Sequence, residues 1–96
     1  MQLEVTPSAR DHLVRARTER KVDDRAKPRF SDRNGHVGLS FALAPSSEDV
    51  IVDANGTELF VARDLADRLT GGKIDTRQRS EGEVLVFLRR VKSLPA

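Results

Sequence analysis

Asn55-Gly56 constrains the fold of this chain more than any other feature, because it stands between two short apolar runs, Val50-Ile51-Val52 and Leu59-Phe60-Val61. Both turn residues tolerate the positive φ that a two-residue β-hairpin turn of the primed type demands. Such a turn places Val52 opposite Leu59 and Ile51 opposite Phe60. It also sets Asp53 against Glu58, a pairing of like charges that leaves a slightly longer loop open.

Upstream, Gln2 to Val5 alternates as a short strand does, and Thr6-Pro7 opens a helix. Thr6 is the N-cap and Pro7 takes the first helical position, where a missing N–H costs nothing. Ala9, Leu13 and Ala16 make a narrow buried stripe, and Asp11, Arg15 and Glu19 an outer ladder. The pattern decays after Arg20. From Val22 to Asn34 only Val22 and Phe30 are large and apolar, and Pro28 forbids a helix. Residues 22–34 are therefore expected to be a mobile, charged connection, with a weak edge strand around Arg29 and Phe30.

From His36 a strand pattern begins, with Val37, Leu39, Phe41 and Leu43 alternating with Gly38, Ser40 and Ala42. After the hairpin, Asp64 is expected to cap a second helix with Leu65 and Leu69 on its buried side, stopped by Gly71-Gly72. Ile74 marks a strand and Glu81-Gly82 a turn. The unbroken run Val84-Leu85-Val86-Phe87-Leu88 predicts a central strand covered on both faces, and the residues after Arg90, through Pro95, a frayed end. Helices and strands mix without βαβ alternation, so the class is α+β.

Ninety-six residues bound one domain, 1–96, near the lower limit for a self-sufficient core. The 17 basic and 15 acidic residues nearly cancel to +2, which argues against a strongly polyanion-binding surface. The absence of cysteine excludes disulfides, thiolate metal sites and thiol nucleophiles. Nothing near Met1 resembles a signal peptide and no apolar run approaches the ~20 residues of a membrane span, so a cytoplasmic location is the expectation.

The segment Asn34-Gly35-His36-Val37-Gly38-Leu39, followed by Ser40-Phe41, resembles the Gly-Gly-Cys-Ser-Gly-Leu stretch of the HesB-like (IscA-like) family of A-type iron–sulfur carriers. Asp49 to Leu69 is similar to that family's Asp-rich strand, tight turn, second strand and short helix, and Ile74-Asp75 to its Ile-Asp. The resemblance implies a compact, β-rich pseudo-barrel of mixed strands with two packed helices. Family carriers bind iron or a cluster through cysteine thiolates. Here His36 holds the position of the first cysteine, and where the family continues into Asn-Pro and then Cys-Gly-Cys this sequence reads Arg89-Arg90-Val91-Lys92 and ends at Ala96.

The resemblance thus implies a member without cysteine ligands: a non-enzymatic accessory or binding module related by descent to iron–sulfur cluster assembly. Its expected partner is another protein, its expected state a monomer or weak homodimer, and no cofactor is expected unless the family activity survives without cysteine, in which case the cofactor is iron or an iron–sulfur cluster. Two alternatives stand beside it. His36 is the one residue with metal chemistry at a family ligand position, and iron or zinc binding across a dimer would use it, with Asp32 or Asp75 as oxygen donors; the other imidazole, His12, lies on the first helix. Arg10, Arg17 and Lys21 on one helical face, with Arg25, Lys27, Arg29 and Arg33 after them, are the footprint a nucleic-acid or acidic-protein binder would need. Glu19, Asp23, Asp24 and Asp32 interrupt that run, and Phe30 alone offers an aromatic platform, so nucleic acid is disfavoured. Catalysis has no support: Ser40, Ser46 and Ser47 lie in no nucleophile context, and Asp53/Glu58 reads as hairpin surface.

Overall fold

The computed structural model describes residues 2–88; the frayed end expected after Arg90 lies outside them. Seven strands and two helices follow the order β1 (Glu4–Val5), α1 (Pro7–Glu19), β2 (Lys27–Arg33), β3 (His36–Ala42), β4 (Asp49–Ala54), β5 (Thr57–Ala62), α2 (Arg63–Leu69), β6 (Lys73–Arg79) and β7 (Gly82–Leu88). The α+β class holds, and the pseudo-barrel resolves into two sheets that do not close: β1-β6-β7 and β3-β2-β5-β4. In each sheet one neighbouring pair is parallel, β1 with β6 and β2 with β5, and the other pairs are antiparallel. Among the described residues no helix is long and apolar enough to cross a membrane.

The Asn55-Gly56 hairpin has the tighter of the two registers open to it: Val52 faces Leu59, Ile51 faces Phe60 and Asp53 faces Glu58. Asn55 at φ 54° and Gly56 at φ 87° make the turn. Asn34 and Gly35, at φ 54° and 85°, repeat it between β2 and β3, where Arg33 pairs with His36. Thr6 caps α1 as expected, its hydroxyl accepting from the Ala9 N–H at 3.1 Å. Ala9 and Leu13 are buried and Ala16 is half-buried. The outer ladder does not form, because Arg15 reaches away to Glu83 at 2.6 Å.

Three expectations are corrected. The connection assigned to residues 22–34 is a strand over Lys27–Arg33, and that strand lies inside its sheet between β3 and β5. Burial alternates along it, with Pro28 and Phe30 inward and Lys27, Arg29 and Ser31 half-buried on the other face. Pro28 fits because β2 pairs with β5 only at Arg29 and Phe30, so its missing N–H faces no β5 partner.

The second correction concerns β7. Among the described residues it pairs with β6 alone, so it is an edge strand of half-buried residues and not a central one. Leu85 and Phe87 pack against the core, and alternation turns Val84, Val86 and Leu88 to the opposite face.

The third is the start of α2. Ala62 is the N-cap and makes no side-chain capping bond, and Asp64 sits within the first turn, where a carboxylate still favours the helix dipole. The Glu48 carbonyl accepts the Arg63 N–H at 2.8 Å and so supplies a partner that a cap would not. Leu65, Ala66 and Leu69 are buried as the pattern requires.

The core lies between the sheets. Val5, Leu13, Phe30, Leu59, Val61, Leu65 and Ile74 are nearly or wholly removed from solvent, drawn from both sheets and both helices. Long side chains then fasten the elements from outside. Arg10 donates to the Asn55 carbonyl (3.2 Å), Arg17 to Ala26 (3.3 Å) and Arg20 to Leu39 (2.9 Å), tying α1 to three separate segments.

Candidate functional site

His36 is the first residue of β3, exposed, at the turn end of the β2–β3 hairpin and directly opposite Arg33. The Arg33 side chain runs along the strand over Gly38, close enough that a Cβ at Gly38 would meet its Cδ at 2.7 Å. A cation is therefore the nearest neighbour that the register gives this imidazole.

The other proposed donors are brought into separate places and given other partners. Asp32 accepts from the Gly35 N–H (2.8 Å) and from Arg68 (2.9 Å), which fixes the hairpin turn and ties α2 to it. Asp75 accepts from the Thr76 N–H and the Thr6 hydroxyl, both at 2.8 Å, and these bonds, the first above all, hold its carboxyl below the usual carboxylate range. His12 is bound to Glu83, Nδ1 to Oε1 at 2.8 Å; the carboxylate only accepts, so Nδ1 carries the proton. Among the described residues no group of three or more His, Asp or Glu side chains is placed to hold a metal ion.

The basic run is similarly dispersed. Besides Arg10 and Arg17, Arg25 is bidentate to Asp23, and Arg29 is clamped on Asp49. Arg29 Nε lies 3.0 and 2.9 Å from the two carboxylate oxygens and a terminal nitrogen 2.8 Å from one of them. The Asp49 side chain is fully buried, and it also accepts the Ser46 N–H at 2.9 Å. The guanidinium holds its carboxyl below the usual range against the opposing effect of burial. Arg10, Arg17 and Arg29 join segments of the protein to each other, whereas Arg25 folds back on a residue two positions before it. Lys21, Lys27 and Arg33 of the same run make no ion pair with a described residue.

A second constellation escaped the sequence reading. Lys73, Asp75, Arg77 and Arg79 occupy alternate positions of β6, opposite Leu88, Val86, Val84 and Gly82 of β7. They share the face of the three-stranded sheet turned away from the core, since Ile74, Leu85 and Phe87 take the inner one. The signal was present as period-two charge from Lys73 to Arg79, but only the pairing with β7 sets it beside an apolar row. A cavity of about 150 Å³ opens at the neighbouring end of the sandwich, its lining drawn from Leu3, Val37, Leu65, Leu69 and Phe87 together with Arg68, Lys73 and Leu88.

No protein-family model matches this sequence, and no curated protein matches it. Solved structures do. A crystal structure of IscA with a 2Fe–2S cluster superposes with a TM-score of 0.70 at 23% identity, covering 92% of this chain and 85% of that one. Escherichia coli SufA, described as involved in biosynthesis of iron–sulfur clusters, superposes with a TM-score of 0.70 at 20% identity, covering 93% of this chain and 86% of that one. The chain has the α+β fold of IscA and SufA, the fold that its resemblance to the HesB-like family implied, built from a sequence with no cysteine.

Proposed function

We propose that this protein is a cytoplasmic, non-enzymatic accessory module of iron–sulfur cluster assembly that acts by binding a partner protein and does not itself carry iron or a cluster. One observation carries the reading: the IscA fold extends over 92% of a chain that contains no cysteine. Sulfide-bridged clusters are held by cysteine thiolates, so the donor set of these residues does not fit the group. His36, at the resemblance's first ligand position, supplies one imidazole where a firm site needs three or four ligands, and its register neighbour Arg33 brings positive charge toward any bound cation. The Ser46 hydroxyl gives no support to catalysis, since it accepts from the Glu48 N–H within its own loop.

Anaerobic reconstitution with ferrous iron and sulfide tests the reading. The expected product after desalting is a colourless protein without stoichiometric iron. Stoichiometric iron with charge-transfer absorbance would overturn it. If that iron were lost in His36→Ala and the loaded protein sedimented as a dimer, the metal would belong to His36 across a homodimer.

A further inference from the structure

We infer that β7 is a docking edge for an extended segment of a partner protein in which apolar residues alternate with acidic ones. The inference rests on the partner-binding reading above and names the surface and the chemistry of the partner. Exposed sheet edges normally carry a device against strand addition, such as charge, shortness or a covering group. The other edges here have one. β1 is two residues long; β4 carries the exposed carboxylate of Asp53; on β3 the Arg20 guanidinium holds the Leu39 carbonyl at 2.9 Å and lies 5.5 Å from the centre of the Phe41 ring. β7 has none over Val84-Leu85-Val86-Phe87-Leu88, five uncharged residues in succession that pair with no described strand on their outer side. The same strand is rich in β-branched and aromatic residues, so its backbone is well disposed to accept a further strand.

The neighbouring charge selects the occupant. Lys73, Arg77 and Arg79 flank Leu88, Val84 and Gly82 on the outer face, and none makes an ion pair with a described residue. The acids of that face are Asp75, which accepts from Thr76 and Thr6 and lies between Lys73 and Arg77, and Glu4 opposite Lys73, so Arg79 and the net charge of the face stay positive. No described helix covers the face: α1 packs on the inner side of the sheet, where His12 and Arg15 reach Glu83. A strand added to β7 stands about 10 Å from β6, a gap that an arginine and a glutamate bridge across an intervening valine. A second copy of this chain would bring the same cations and is disfavoured by like charge.

The test uses a fluorescein-labelled heptapeptide alternating valine and glutamate, titrated with the full chain and followed by anisotropy and by amide exchange. Saturable binding is expected, with slowed exchange at Val84 to Leu88. Arg77→Glu with Arg79→Glu should weaken it at least about tenfold, as should replacing the peptide's glutamates by lysine. Circular dichroism and the denaturation midpoint of the double variant establish that it is folded. Absence of binding, binding indifferent to the charge reversal, or protection appearing at β3 or β4 instead would overturn the proposal. So would self-association through β7 that excludes the peptide, which assigns the edge to a second copy. Peptide affinity is independent of the iron reconstitution, so the two readings fail separately.

Discussion

The ring of Phe30 meets the ring of Phe87 edge to face, with centroids 5.4 Å apart and planes at 83°. Phe30 comes from the middle of β2 and Phe87 from the edge strand β7, so this one contact joins the four-stranded sheet to the three-stranded one. Phe30 is fully buried and Phe87 half-buried. Phe30→Ala should therefore cost about 3–5 kcal/mol and Phe87→Ala less, about 1.5–3 kcal/mol. A double-mutant cycle by chemical denaturation should give a coupling of about 0.5–1.5 kcal/mol beyond the lost area. Additive effects would show that the sheets are held together elsewhere.

Asp49 fastens the loop before β4 to β2 through Arg29 and the Ser46 N–H. Asp49→Ala leaves the guanidinium without its partner. Because Arg29 keeps 27% of its side chain exposed, water relieves part of that loss. The expected cost is about 2–3 kcal/mol, below the ~3–5 kcal/mol of a fully buried pair. Asp49→Asn should recover some of it. A change below about 0.5 kcal/mol, the range of ordinary surface substitutions, would mean that the clamp is replaceable by solvent.

Native-state amide exchange should separate two parts of the segment between α1 and β3. Lys27 to Arg33 lies between two strands at Arg29 and Phe30 and should exchange slowly there. The residues before Ala26 have few such bonds and should exchange fast. Uniformly fast exchange across residues 22–33 would restore the charged-connection reading.

Acid should destabilise the protein through identifiable carboxylates. His12, then Arg15, holds the Glu83 carboxyl below its ordinary value, and Arg29 does the same for Asp49. Each folded pKa lies below its unfolded value, so each contribution is fully present above about pH 4–4.5 and is lost as pH falls through the folded pKa. Denaturation midpoints measured from pH 7 downward should fall below that point, and Glu83→Gln should flatten part of the slope. A midpoint independent of pH between 5 and 3 would contradict the assignment.

The sequence determined the features whose causes are local. Thr6-Pro7 dictated the start of α1, and Asn55-Gly56 fixed the register of β4 on β5, because capping and turn chemistry act within a few residues. Asn34-Gly35 carried the same turn signal, and only the charged residues around it hid the strand on its near side. His36 could be located on the β3 strand from its motif, while its neighbour Arg33 came from pairing.

Tertiary structure decided the rest. β2 has too few apolar residues to announce itself; it is a strand because β3 and β5 supply its hydrogen bonds, β5 through a parallel pairing some thirty residues away in sequence, and because Phe30 finds Phe87. The apolar run of β7 reads the same whether one face or both are covered, since composition does not count neighbours. Only the assembled sheet shows that its outer edge has no strand beside it among the described residues. Lys73, Arg77 and Arg79 became a face only when β6 paired with β7, and Arg10, Arg17 and Arg29 ceased to be a surface run when folding gave each a partner within the protein.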